Sequence, residues 1–274
     1  MSGLRFSWNR VTALAYKDAR ELMRNPGAIV PAILMVFASL FPAFLVIVVT
    51  PKLVGETLEE SDFAEIAVKA ASVIPELAGL SGTALVQTFL FHQFSLMLLL
   101  VPIVSTTALA THAVIGEKTS RALEPLLATP ISTLELLMAK TLTPFLFALS
   151  LMWIAAAIYL LGAAALAEPG VWRSVAGPRF FAMFVVLGPQ IELASLVISV
   201  IVSSRSADPR SAQQMSALLI LPVTILLVAQ LTGFIVVGPT IILLVSLAML
   251  LLNVLLLKAG VRVFDRESIL TRWR

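Results

Sequence analysis

One carboxylate, Glu192, is the only formal charge deep within any of the long apolar runs of this 274-residue chain. An ionisable group is costly in hydrocarbon, so it either lines a polar pathway or is held neutral by hydrogen bonds from neighbouring helices. His92, near Gln87 and Gln93 in another apolar run, makes a second polar set. These side chains either face the same pathway or satisfy one another and a nearby backbone. Gln230 and Asn253 are weaker versions of the same signal. With no cysteine and two histidines, the chain has no disulfide, no thiolate metal site and too few ligands for a zinc cage of the usual kind. It has no H-E-x-x-H, and no second acid accompanies Glu192, so hydrolytic chemistry lacks its nucleophile and base. Gly116-Glu117-Lys118 lacks the upstream glycine and spacing of G-x-x-x-x-G-K-[ST], so ATP is not bound through a P-loop of this chain.

The elements that must position these groups follow from composition. Hydrophobic residues make up 59% and charged residues 13%, and the mean hydropathy is +1.00, outside the globular range. The chain reads as integral to the membrane. Apolar intervals of roughly 20 residues or more, with few or no charges, mark the crossings. They are Ala28 to Thr50; the run from the Gly79-Leu80-Ser81-Gly82 break to Glu117, long enough to protrude into the cytosol; Thr133 to Leu166; and Arg179 to Val202. Arg210 to Lys258 has room for two more, with a turn at Gly233 and Gly238-Pro239. The expected fold is all-α, one domain over residues 1–274, with six transmembrane helices. The first long apolar run follows a charged segment and is too long for a cleavable signal peptide.

Basic residues orient the bundle. Of 19 lysines and arginines, only Lys52, Lys69, Arg173 and Arg179 fall on the side opposite the termini. The positive-inside rule therefore puts both termini in the cytoplasm, and the net charge of +3 reads as topology, with no nucleic-acid partner. Residues 51–83 form an acidic extracytoplasmic segment with a short helix over the outer mouth, and residues 261–274 a cytoplasmic tail. Trp8 to Arg24, within the cytoplasmic segment 1–25, places Trp8, Val11, Ala15, Ala19 and Leu22 on one face, as expected of a helix lying in the inner interface. Asn25-Pro26 is an N-cap and first position for the first crossing. Prolines at 31, 42, 102, 144, 189 and 222 fall inside crossings and can bend them.

Between crossings two and three lies G-E-K-T-S-R-A-L-E-P-L-L-A-T-P-I-S, Gly116 to Ser132. If helical, Glu117, Arg121 and Glu124 share a face, Leu123 and Leu126 point away, and Leu127 lies at the flank. Thr129-Pro130 ends this element, and Ser132-Thr133-Leu134-Glu135 has the form of a capping box that restarts a helix. Such an amphipathic corner, built at both ends into membrane helices, either transmits displacement from a soluble partner or is a capped loop.

The run Glu117 to Lys140 resembles the ABC-2-type transporter permease motif E-K-x-x-x-T-L-E-x-L-L-x-T-P-I-S-x-x-E-L-L-x-G-K, departing from it at Ala122 and Ala139. Y-K-D-A-R-E-L-M-R-N-P at Tyr16 to Pro26, S-S-R-S-A-D-P-R-S-A-Q-Q at Ser203 to Gln214 and F-D-R-E-S-I-L-T-R-W at Phe264 to Trp273 extend the resemblance along the chain. It implies that residues 116–132 are a cytoplasmic coupling helix docking on a separate ABC ATPase subunit, which carries the ATP and Mg. Glu117, Arg121, Leu123, Glu124, Leu126, Leu127, Thr129 and Pro130 would make that contact. It further implies an exporter acting as a dimer with a second copy or a paralogue, in a plasma membrane of the prokaryotic cytoplasmic type. Two readings from other classes stand beside it: an ATP-independent proton-coupled carrier with Glu192 and His92 as its relay, and a membrane-embedded enzyme.

Overall fold

The computed structural model describes residues 7–55, 57–120, 133–205, 214, 218–232 and 237–263. Most of the 116–132 element therefore lies outside the described residues, including Arg121, Leu123, Glu124, Leu126, Leu127, Thr129 and Pro130. So do Gly233, the segment 264–274 and most of the Ser203 to Gln214 motif. Glu117 is at a helical backbone position.

Helix α1 spans Trp8–Leu22. Asn25 then turns the chain: its side chain accepts the Gly27 N–H at 3.1 Å, and Pro26, which has no N–H to satisfy, takes the first helical position. Helix α2 runs from there over Pro26–Val54 and stops at Gly55, whose φ of 77° is the left-handed cap glycine favours. Short pieces at Leu58–Glu60, Phe63–Ala70 (α3) and Pro75–Leu77 follow, so residues 51–83 hold several short helical turns where one helix was expected. Their apolar side chains Leu58, Ala67, Ala70, Ile74 and Leu77 are buried in the main core, so this segment is packed onto the end of the bundle.

Gly82–Phe94, Ser95–Leu99 and Leu100–Ser120 run on as one helix, α4. Helix α5 is Thr133–Leu166, agreeing with the third apolar interval, and α6 is Val171–Val175. Pro178–Phe181, Ala182–Leu187 and Gly188–Arg205 form α7; Ile220–Leu231 is α8 and Pro239–Val263 is α9. The described residues form helices and no strands. Five helices, α2, α4, α5, α7 and α9, are long and apolar enough to cross a membrane. The 12 described residues of α8 reach about 18 Å at 1.5 Å per residue, short of the roughly 30 Å of hydrocarbon, so among the described residues five of the six expected crossings have a helix of sufficient length.

Three long helices change pitch just before a proline. A π turn at Leu45–Val49 precedes Pro51, a 3-10 stretch at Ser95–Leu99 precedes Pro102, and a π turn at Ala182–Leu187 precedes Pro189. Proline removes one i to i−4 bond and its ring presses on the preceding turn, which relaxes by rewinding. Side chains take up carbonyls in both π turns: Thr50 Oγ1 donates to the Leu45 carbonyl at 2.9 Å, and the Trp153 indole donates to the Phe184 carbonyl at 3.1 Å. Pro31 and Pro144 sit in turns that stay α-helical, so a proline alone does not dictate the change.

The centre of the bundle is aromatic. Phe44, Phe91 and Tyr159 contact one another edge-on or tilted with centroids 5.5–5.9 Å apart, and Phe180 stacks on Tyr159. Gly162 makes room for this, because a Cβ there would overlap the Phe44 ring. Small residues let membrane helices approach closely where the hydrophobic effect gives no preference for helix over lipid.

Candidate functional site

Helix α1 is clamped to the first turns of α5 by two charged contacts. Glu135 Oε1 accepts the Ser7 N–H at 2.7 Å and is met by Arg10 Nη2 at 2.9 Å, while only 1% of the Glu135 side chain is exposed. One to two turns on, Lys140 Nζ donates to Asp18 Oδ1 at 3.0 Å and stands 2.9 Å from Oδ2. Thr143 Oγ1 donates to the Ala15 carbonyl at 3.0 Å, and Val11 and Leu14 pack on Ala139. The buried stripe of α1 is therefore Val11, Leu14, Asp18 and Leu22. The sequence pattern had put Trp8 on the apolar face, but it is exposed; Asp18 replaces it on the buried stripe because a lysine of α5 faces that position. Burial pushes the Asp18 carboxyl above its ordinary value, and the Lys140 ammonium beside it opposes the rise. Glu135, the last member of the S-x-x-E pattern, directs this carboxylate to α1.

At the other end, two acids of the segment after α2 hold two helix starts. Glu59 Oε1 accepts both the N–H and the hydroxyl of Thr83 at 2.7 and 2.8 Å, in the first turn of α4. Gly82, at φ 60°, leaves no Cβ to strike that carboxylate. Glu76 Oε1 accepts the Arg179 N–H at 3.2 Å, in the first turn of α7. A carboxylate satisfies free N–H groups and complements the positive end of the helix dipole there. Part of the acidic character of residues 51–83 is thus helix capping.

The polar residues singled out in the crossings are not gathered in one place. Gln87 accepts the Glu168 N–H at 2.8 Å and so pins the turn after α5. His92 and Gln93 are buried in α4, with His92 Nε2 and Gln93 Oε1 free of hydrogen bonds. His92 lies within electrostatic range of Arg179 at the start of α7. Glu192 is on the same helix about 20 Å further along. It is fully buried, facing the backbone of Leu149 on α5, and neither carboxylate oxygen reaches hydrogen-bond geometry. Asn253, by contrast, donates to the Gln190 carbonyl at 2.9 Å and ties α9 to α7.

Two polar features were missed from sequence. Arg179 counted only as a basic residue outside, yet its side chain is fully buried and its three guanidinium nitrogens have no hydrogen-bond partner. Tyr159, in the middle of α5, donates its hydroxyl to the Phe91 carbonyl at 2.6 Å. A tyrosine inside an apolar run signals such a bond in general, since its O–H needs a partner when buried. No group of three or more potential metal ligands occurs among the described residues. Comparison with protein-family models and with curated proteins finds no match for this chain.

Proposed function

We propose that this chain is the permease subunit of an ATP-driven exporter of the ABC-2 type, working as a dimer with separate ATPase subunits. The observation that carries the reading is the Asp18–Lys140 contact. Asp18 belongs to the Tyr16 to Pro26 stretch and Lys140 to the Glu117 to Lys140 stretch, the two segments whose resemblance to permeases was noted independently. A buried ion pair between them makes one rigid unit of α1 and the start of α5, the helix that leaves the 116–132 element. Displacement of that element by a nucleotide-driven partner would move α1 and α5 together. In this reading the sixth crossing lies between Arg210 and Leu231, and both termini and the 116–132 element face the cytoplasm.

The test is assembly. Burial of a leucine on docking is worth about 1.5–3 kcal/mol, so Leu126→Asp/Leu127→Asp should abolish copurification of the ATPase and cargo-dependent ATP hydrolysis while leaving membrane insertion unchanged. A full complex with coupled transport from this variant overturns the proposal. Orientation is checked separately: in this cysteine-free chain, Ser120→Cys should resist an impermeant thiol reagent applied outside intact cells.

A further inference from the structure

Tyr159 is met by one phenylalanine from each of three helices, Phe44 of α2, Phe91 of α4 and Phe180 of α7, with ring centroids 5.8, 5.5 and 6.3 Å away. Each of those helices loses its α pitch within about one turn of that contact, at Leu45–Val49, Ser95–Leu99 and Ala182–Leu187. Helix α5, which carries Tyr159, keeps its pitch throughout. About four turns back along α5, Phe145 packs with Ala110 of α4 and Leu196 of α7. Helices α4 and α7 therefore run in one direction, and their irregular turns start at the same level of the bundle. A 3-10 stretch or a π turn inside a long helix is where that helix bends. Two of them at one level, on helices that run the same way, define a bending axis.

Outside that level the ends are joined to one another. Glu59 holds the first turn of α4 and Glu76 the first turn of α7, while Leu58, Ile74 and Leu77 of the same segment are buried in the core. The hold on α5 is by single hydrogen bonds. The Tyr159 hydroxyl donates to the Phe91 carbonyl at 2.6 Å, the Glu168 N–H to Gln87 at 2.8 Å, and the Trp153 indole to the Phe184 carbonyl, inside the α7 π turn, at 3.1 Å. The Phe91 carbonyl also accepts the Ser95 N–H, so losing the tyrosine does not strand it. Just past the π turn, Gly188 leaves space that the flexible thioether of Met152 fills, a contact able to follow movement of α7.

We propose that the turns at Ser95–Leu99 and Ala182–Leu187 are a hinge. Residues 57–94 and 178–181 swing about it as one body, and the hydrogen bonds of Tyr159 and Trp153 are the catch that holds the position described here. The bending belongs to the chain whatever it carries and does not depend on the transporter reading.

The experiment uses the full cysteine-free chain in lipid nanodiscs, with pairs of spin labels on introduced cysteines at exposed positions. Ser72→Cys/Ser150→Cys spans the hinge, and Asp62→Cys/Ser72→Cys lies within the moving body. Across the hinge, Tyr159→Phe and Trp153→Phe should each raise a second distance population about fivefold, the effect of one lost hydrogen bond on a two-state equilibrium. The pair inside the body should keep its distance. Trp153→Phe carries the test if Tyr159→Phe does not fold. Adding Pro102→Ala/Pro189→Ala to Trp153→Phe, which gives both turns back their backbone donors, should suppress the second population. A single unchanged distance across the hinge in both variants overturns the proposal. An equal change within the body does so too, since the outer segment would then be loosening and not swinging, as does a second population that persists without the two prolines.

Discussion

Lys140 and Asp18 meet at 2.9–3.0 Å with about a tenth of each side chain exposed, across the contact between the first helix and the helix that follows the 116–132 element. Neither residue's immediate neighbours in sequence announce the partner. The contact converts two helices that could slide past one another into one body, because a lateral shift would strand a charge away from water.

Breaking one side of that pair should cost more than removing both. Lys140→Met leaves Asp18 in a site already adverse to charge and should lower stability by about 3 kcal/mol, near the lower end for buried pairs because the carboxyl can take up a proton. Asp18→Leu/Lys140→Met should recover most of the loss. Thermal unfolding of the purified variants decides it; equal, additive losses would show that the two residues do not form a unit.

The same carboxyl gives a pH dependence with a definite sign. Its value is raised in the folded state above the ordinary 3.8, mainly by burial. The unfolded chain then releases this proton first as pH rises. The contribution of Asp18 to stability is therefore fully present below pH 3.8 and is lost as pH climbs through the higher folded value. Asp18→Asn should flatten this part of the curve of unfolding temperature against pH, and a curve identical to wild type would contradict the assignment.

Capping by Glu59 predicts a local effect. Glu59→Ala should cost about 1 kcal/mol and speed hydrogen exchange at the first amides of α4, whereas Glu59→Gln keeps an acceptor and should lose only the charge contribution, about 0.3–1 kcal/mol. Amide exchange at Thr83 separates the two, and unchanged protection in the alanine variant would remove the cap from the account.

Glu192→Gln tests the one carboxyl buried mid-crossing. The amide preserves volume and hydrogen-bonding capacity, so the yield of folded protein should hold. If the proposed transport passes this helix, its rate should change with loss of the ionisable group. Transport by the variant that matches wild type from acid to alkaline pH would make Glu192 a packing group of α7 against α5.

The long apolar helices were legible because hydrocarbon demands a length and a polarity that a single chain must spell out locally: apolar runs bounded by charge, with proline and asparagine at the Asn25-Pro26 corner. The resemblance of Glu117 to Lys140 was equally a matter of adjacent residues. The described boundaries of α2, α5 and α7 follow those runs closely. A sixth crossing was read from length alone, and the 12 described residues of α8 do not reach it. Pairing was decided by the tertiary structure. A charge in sequence carries a sign but no address, so Asp18 could not be seen to oppose Lys140, nor Glu76 to hold the first turn of α7. Arg179 is the plainest case: a basic residue at the edge of a run has the same sequence signature whether it faces water or is turned inward, and only the tertiary structure put that guanidinium inside, within electrostatic range of Glu76 and Tyr159.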